Sequence, residues 1–266
     1  MELGEYFSKV FRKIFIGNIY WPTFVLTLIF SIVLGIIFAV ITFAFAGGAL
    51  YSLFSVLSTT SANALTTNPN SLLGVFAGLG VLLVLTIIFG LIMTYLFNVI
   101  YVFTIKRIQA TESKTKRSLG FFEFFGQSFG PGFMLFLALL IYWVVMVLVM
   151  SIIAMVFGLI PVVGAILAII IDTIILFYAM SGILVLSGEI SVGKSFGTAL
   201  SHAFSKQIHK PKIFWYTIIL GLVSIIISFV ANLLGFIPLL GIIILFFVWI
   251  GLFIYGATIA YYYTKE

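Results

Sequence analysis

One acid stands deep inside a long apolar stretch. Asp172 sits between Ile169-Ile-Ile171 and Thr173-Ile-Ile175, well past Pro161. At 1.5 Å per residue that distance is roughly half of a membrane span. A carboxylate at that depth is costly, so its presence needs a reason. Two readings stand side by side. Asp172 carries a proton, pairs with a cation or binds a polar group of a solute; or it is a protonated or hydrogen-bonded carboxyl that joins helices. No lysine, arginine or histidine lies at comparable depth. Asn98 and Asn232 also fall in apolar stretches. Their amides hydrogen-bond neighbouring helices or line a site with Asp172. These three residues form the candidate substrate or proton site.

Other chemistry is excluded by what is missing. The chain has no cysteine, which removes thiolate metal sites, iron–sulfur clusters and cysteine nucleophiles. His202 and His209 are seven apart, whereas helical metal pairs need spacings of about three or four with further ligands. A solvated polar face fits them better. An intramembrane aspartyl protease needs two carboxylates sharing one site, and only Asp172 is available. No intramembrane histidine can activate a serine. No phosphate loop, dinucleotide fingerprint or hydrolase elbow is present. The expectation is no catalytic residue, no metal, no cofactor and no enzyme. Tyr95, Tyr178 and Tyr255 share a similar depth, which packing and the aromatic belt explain.

The elements that carry these residues follow from composition. Of 266 residues, 64% are hydrophobic and 8% charged, and the mean hydropathy is +1.35. Soluble domains are roughly 25% charged, so the chain is an integral membrane protein. Six stretches satisfy the length of about 20 apolar residues that a helical span requires: Pro22–Ala46, Leu72–Ile105, Gly132–Leu159, Val162–Leu186, Ile213–Leu234 and Leu239–Tyr263. Ala44-Phe45-Ala46 mimics a signal-cleavage site, but the run before it exceeds a signal core of about 7–15 residues. It is read as a retained span. Glu2 excludes myristoylation, and the lack of cysteine excludes prenyl and palmitoyl anchors.

Charge sorts the connections. Lys9, Arg12 and Lys13 precede the first span. Lys106, Arg107, Lys114, Lys116 and Arg117 join the second to the third. Lys194, Lys206, Lys210 and Lys212 join the fourth to the fifth, and Lys265 closes the chain. The remaining connections hold no lysine or arginine. The positive-inside rule then puts the basic side and both termini in the cytoplasm, in a multi-pass protein of the cell membrane. The basic residues before Lys265 are candidate lipid-headgroup contacts, each worth about 1 kcal/mol near an anionic surface. The net charge of +6 is explained by topology and lipid, not by nucleic acid.

The chain also repeats. Gly158-Leu-Ile-Pro161-Val-Val-Gly164 matches Gly235-Phe-Ile-Pro238-Leu-Leu-Gly241 at an offset of 77, which also pairs Tyr178 with Tyr255 and Glu189 with Glu266. Gly4, Phe7, Phe15 and Pro22 match Gly193, Phe196, Phe204 and Pro211 at an offset of 189. The chain reads as one polytopic membrane domain, 1–266, of three units at about 1–107, 108–189 and 190–266. Each unit is an amphipathic cytoplasmic lead followed by a hairpin of spans. In the first lead Leu3, Phe7, Val10, Phe11, Ile14 and Phe15 share one helical face; in the third Phe196, Leu200, Ala203, Phe204 and Ile208 do. The pattern is that of helices lying in the membrane interface.

Ser191-Val-Gly-Lys-Ser195 leading into an amphipathic stretch, Pro211-Lys-Ile-Phe214 opening a span, and the terminal Tyr261-Tyr-Tyr-Thr-Lys265 resemble a loose superfamily of prokaryotic six-helix membrane proteins. That superfamily includes the membrane domain fused to some glycerophosphodiester phosphodiesterases. The resemblance implies a six-helix fold with cytoplasmic amphipathic leads and no catalytic residues.

The expected fold is all-α, with six transmembrane helices in three hairpins and an internal threefold repeat. The expected function is non-enzymatic: engaging lipids, anionic ones foremost, or organising the membrane, with a membrane-protein partner or a second copy as further contacts. The rival is a transporter or channel for a small apolar or cationic solute that uses Asp172.

Overall fold

Long apolar runs without interior breakers form long helices, since in a membrane every backbone group must be satisfied within its own segment. The computed structural model describes residues 3–58, 69–113, 120–160, 163–209, 211–234 and 240–265. Among these, nine helices follow in order: α1 (Leu3–Ile14), α2 (Gly17–Ser58), α3 (Pro69–Glu112), α4 (Phe121–Gly126), α5 (Phe129–Gly158), α6 (Val163–Ser191), α7 (Phe196–His209), α8 (Pro211–Leu234) and α9 (Leu240–Lys265). Pro22 lies inside α2. Ile19 and Thr23 near it are buried.

Among the described residues, five helical stretches are long and apolar enough to cross a membrane: Gly17–Ala44, Gly80–Glu112, Phe121–Gly158 across α4 and α5, Val163–Ser191, and Gly241–Lys265. By length and hydropathy this is a multi-pass membrane protein. The expected span Ile213–Leu234 coincides with α8, whose described apolar stretch, Phe214–Val230, is shorter. The matched turns at Pro161 and Pro238 lie outside the described residues.

The chain divides into two units, residues 26–97 and the remainder. The smaller unit consists of the α2 segment from Leu26 and the α3 segment ending at Phe97, with Phe38 stacked on Phe89 at 4.3 Å. The larger unit holds α1, α4 to α9, the start of α2 as far as Val25 and the end of α3 from Asn98.

The core of the larger unit gathers where the lysines and arginines stand. Ile105 and Ile108 of α3, Leu184 and Val185 of α6, and Ile254 and Tyr262 of α9 share one buried cluster. A second cluster joins Val102 of α3, Leu135 and Tyr142 of α5, Ala179 and Leu186 of α6, and Ala199 and Ala203 of α7. Away from these clusters large apolar side chains are exposed, as at Ile152, Met155, Ile166, Ile169, Ile225 and Phe229. Such a surface belongs in hydrocarbon.

Two close approaches fix the helices of this core. At Gly188 a side chain would meet the Ala260 carbonyl oxygen at 2.2 Å, so α6 and α9 touch backbone to backbone. At Gly132 a Cβ would lie 2.8 Å from Val99 Cα, so α5 meets α3 the same way. Small residues at helix crossings permit this contact in membranes. Buried hydroxyls add a polar layer. Thr104, Ser181 and Thr258, spaced 77 apart, are all fully buried. They donate to carbonyls of their own helices at Ile100, Tyr178 and Ile254, 2.7–2.8 Å away. Thr104 Oγ1 also lies 3.1 Å from Thr23 Oγ1, tying α2 to α3. Thr23→Val keeps the shape and removes this link. The expected loss is about 0.6 kcal/mol, read as a small drop in the unfolding midpoint in detergent. A drop several times larger would mean the bond organises more than one helix pair.

The lead helices pack on the bundle through their apolar faces. Val10 of α1 is fully buried in the cluster with α9, and Ile14 packs against it. In α7 Ala199 and Ala203 are fully buried beside α6, with Phe196 and Leu200 against them. Phe15 is instead exposed.

Candidate functional site

The polar groups of the larger unit collect at the basic end, on two glutamates. Glu189 ends α6 and is fully buried. The sequence Glu189-Ile-Ser-Val-Gly193-Lys194 closes the helix with a paired turn: Lys194 N–H donates to the Glu189 carbonyl at 3.0 Å and Gly193 N–H to that of Ile190 at 3.1 Å. Gly193 has φ +95°, a left-handed conformation that glycine adopts without the Cβ penalty. The turn folds Lys194 back, so that its Nζ lies 2.8 Å from Glu189 Oε2. His202 of α7 brings Nδ1 to 3.4 Å from the same oxygen. A buried carboxylate at the end of α6 thus faces both the turn into α7 and the His202 imidazole on α7.

Glu112, ending α3, makes the second cluster. It accepts from Tyr262 and from Lys265 of α9, the latter at 2.5 Å. Lys13 of α1 lies 3.3 Å from it. Lys265 also sits 4.7 Å from the Tyr261 ring centroid, a favourable place for an ammonium. The sequence reading missed Glu112, although the signal was there: Glu112, Glu189 and Glu266 are spaced 77 apart. The same spacing makes Tyr101, not Tyr95, the counterpart of Tyr178 and Tyr255.

The intramembrane candidates stay apart from these clusters. Asp172 is half-buried, and its Oδ1 is buried without a hydrogen-bond partner among the described residues. Asn98 Nδ2 is likewise buried and unpartnered, so no bond joins these two atoms. Asn232 is exposed on α8.

The basic candidates divide by environment. Lys9 and Arg12 are exposed on α1. Lys13 and Lys194 are engaged with Glu112 and Glu189. Lys106 Nζ donates to the Gln127 carbonyl at 2.6 Å. Arg107 places its guanidinium 5.5 Å from the Phe103 ring and 5.6 Å from the Phe124 ring. Lys114, Lys116, Arg117 and Lys210 lie outside the described residues, as do the side chains of Lys206 and Lys212.

Cavities open among the described residues. One of about 500 Å³ is an apolar recess at Gly130, Phe133, Leu137 and Phe196. Another, also about 500 Å³, is lined by Ile14, Phe15 and Gly17, by Tyr20 and Trp21 of α2, and by residues of α8 and α9 including Gly251 and Tyr255. It is almost wholly apolar. A smaller one, about 370 Å³, has mixed polar and apolar walls and lies between α3, α4, the start of α5 and the end of α6. Asp172 lines none of them. Among the described residues no three histidine, aspartate or glutamate side chains gather to hold a metal ion. Comparison with protein-family models, with curated proteins and with solved structures finds no match to this chain.

Proposed function

We propose that the chain is a six-span, non-enzymatic protein of the cell membrane that holds lipid at its cytoplasmic face, with α8 as the sixth span and both termini inside. Three repeated hairpins support this architecture: the buried hydroxyls Thr104, Ser181 and Thr258 recur at one spacing on α3, α6 and α9. The observation that carries the function is the apolar cavity of about 500 Å³ lined by Gly251 and Tyr255. Its size falls within the range of about 300–1,000 Å³ typical of small-molecule sites. An acyl chain suits its lining of tryptophan, phenylalanine and aliphatic side chains. The exposed Arg12 ends the lead just before Ile14 and Phe15, where it can meet an anionic headgroup.

Gly251 offers the test. A Cβ there meets only Ile14 Cγ2, at 3.9 Å, so a larger side chain grows into the cavity without breaking α9. Leucine also favours the helix over glycine by roughly 0.8 kcal/mol. Native mass spectrometry of gently extracted protein is expected to show a retained lipid that Gly251→Leu loses, with thermal stability unchanged or raised. Equal retention in the variant would remove the cavity from the function.

A second reading keeps one observation in its favour. The unpartnered, buried Asp172 oxygen fits a carboxyl that exchanges a proton or meets a cationic solute. Transport of such a solute by reconstituted protein, abolished in Asp172→Asn, would favour it over lipid binding.

A further inference from the structure

The smaller cavity places a cation, Lys106, among walls that carry no carboxylate. It is lined by Lys106, Gln109, Ser113, Gln127 and Ser191, beside Gly193 and the Phe124 ring, and no acidic side chain is among its walls. Lys106 gives one proton to the Gln127 carbonyl and keeps two further donors, since an ammonium has three. Arg107 next to it rests against Phe103 and Phe124. Neither residue forms an ion pair among the described residues.

The neighbouring junctions explain why the pocket is open. Lys13 of α1 and His202 of α7 occupy matched positions at the offset of 189, and each reaches a glutamate. The second unit has Phe125 at the matched position, 77 before His202, and its lead α4 is only six residues long. The short lead covers less of α3, and its one acid, Glu123, is exposed and does not line the cavity. Lys106 directly follows the apolar stretch Leu72–Ile105, which puts its ammonium at the depth of lipid phosphates.

We propose that this pocket binds the phosphate of an anionic membrane lipid, with Lys106 as its cationic contact. The assignment rests on the lipid reading for the source of the phosphate and is independent of the apolar cavity. A lipid phosphate there accepts from the Lys106 ammonium and from the Gln109 amide. Charge-assisted contacts of this kind are roughly twice as strong as neutral ones.

The test uses the full chain in nanodiscs of phosphatidylcholine doped with phosphatidylglycerol, with bound lipid counted by native mass spectrometry. One phosphatidylglycerol is expected at this pocket on the wild type, besides the lipid held in the apolar cavity. Its occupancy falls about tenfold in Lys106→Gln, the loss of one charged contact. It is retained in Lys106→Arg, which shows that the fold persists, and in Lys9→Gln on the exposed face of α1, which separates a pocket from general surface charge. Unchanged occupancy in Lys106→Gln overturns the proposal. So does displacement of the lipid by soluble glycerol 1-phosphate at matched concentration, which would make a free phosphate ester the ligand. Gly251→Leu leaves this lipid in place, so failure of the apolar-cavity reading is seen separately.

Discussion

Gly188→Ala is expected to cost about 3 kcal/mol of stability, near the top of the usual overpacking range, although the change adds one methyl group. The added carbon would stand 2.2 Å from the Ala260 carbonyl oxygen and 2.8 Å from the Thr264 methyl. The first neighbour is backbone, so no rotamer change relieves the clash. α6 and α9 must separate, and the cluster they share with α3 loses its packing. That cluster includes Val185, Ile254 and Ile105, so the effect spreads through the centre of the larger unit. Gly90→Ala is the control. Nothing lies within 4 Å of its Cβ, and alanine favours a helix over glycine by about 0.8–1.0 kcal/mol. Denaturation midpoints in one detergent should therefore move in opposite directions for the two variants. Equal shifts would mean that α6 and α9 do not meet at Gly188.

Helix existence was legible because apolar runs such as Leu72–Ile105 can satisfy their backbone only as helices. Helix extent was less so: α2 runs to Ser58 and α3 to Glu112, past the apolar edges placed at Ala46 and Ile105. Hydropathy marks where a helix suits lipid, not where its hydrogen bonds stop. The amphipathic leads were legible as helices, but not as to what covers their apolar faces. Val10 and Ala203 lie in protein clusters; spacing on a helix reads the same whether lipid or another helix lies opposite. The polar sites were the least legible. Asp172 drew notice by its depth, whereas Glu112 and Glu189 sit at helix ends among lysines, where an acid looks like ordinary surface. Their importance comes from burial and from partners far along the chain, Glu112 with Lys13 and Lys265, which no local pattern records. Spacing alone held the missing clue, since Glu112 stands one repeat before Glu189.

At Glu189 the asymmetry of burial leads to an asymmetric result. The carboxylate is fully buried, whereas Lys194 is 41% exposed. Lys194→Met takes the ammonium 2.8 Å away from a buried carboxylate, and the expected loss is about 3 kcal/mol, the low end of the range for breaking a buried pair. Glu189→Gln removes the buried charge itself and leaves Lys194 free to turn to water. Its expected cost is about 1 kcal/mol, that of one ordinary hydrogen bond. In the double variant no buried charge remains for Lys194 to neutralise, so the loss should stay close to that of Glu189→Gln alone. The cycle then yields a coupling of roughly 2–3 kcal/mol, within the span seen for contacting residues. Unfolding midpoints of the four proteins in one detergent measure it. A Glu189→Gln loss larger than that of Lys194→Met would show that the carboxylate is hydrated and that α7 is held by its apolar face alone. If the predicted order holds, α7 is fixed to α6 by charge as well as by Ala199 and Ala203. Releasing it in Lys194→Met should then raise amide exchange along Phe196–His209 before it affects α6.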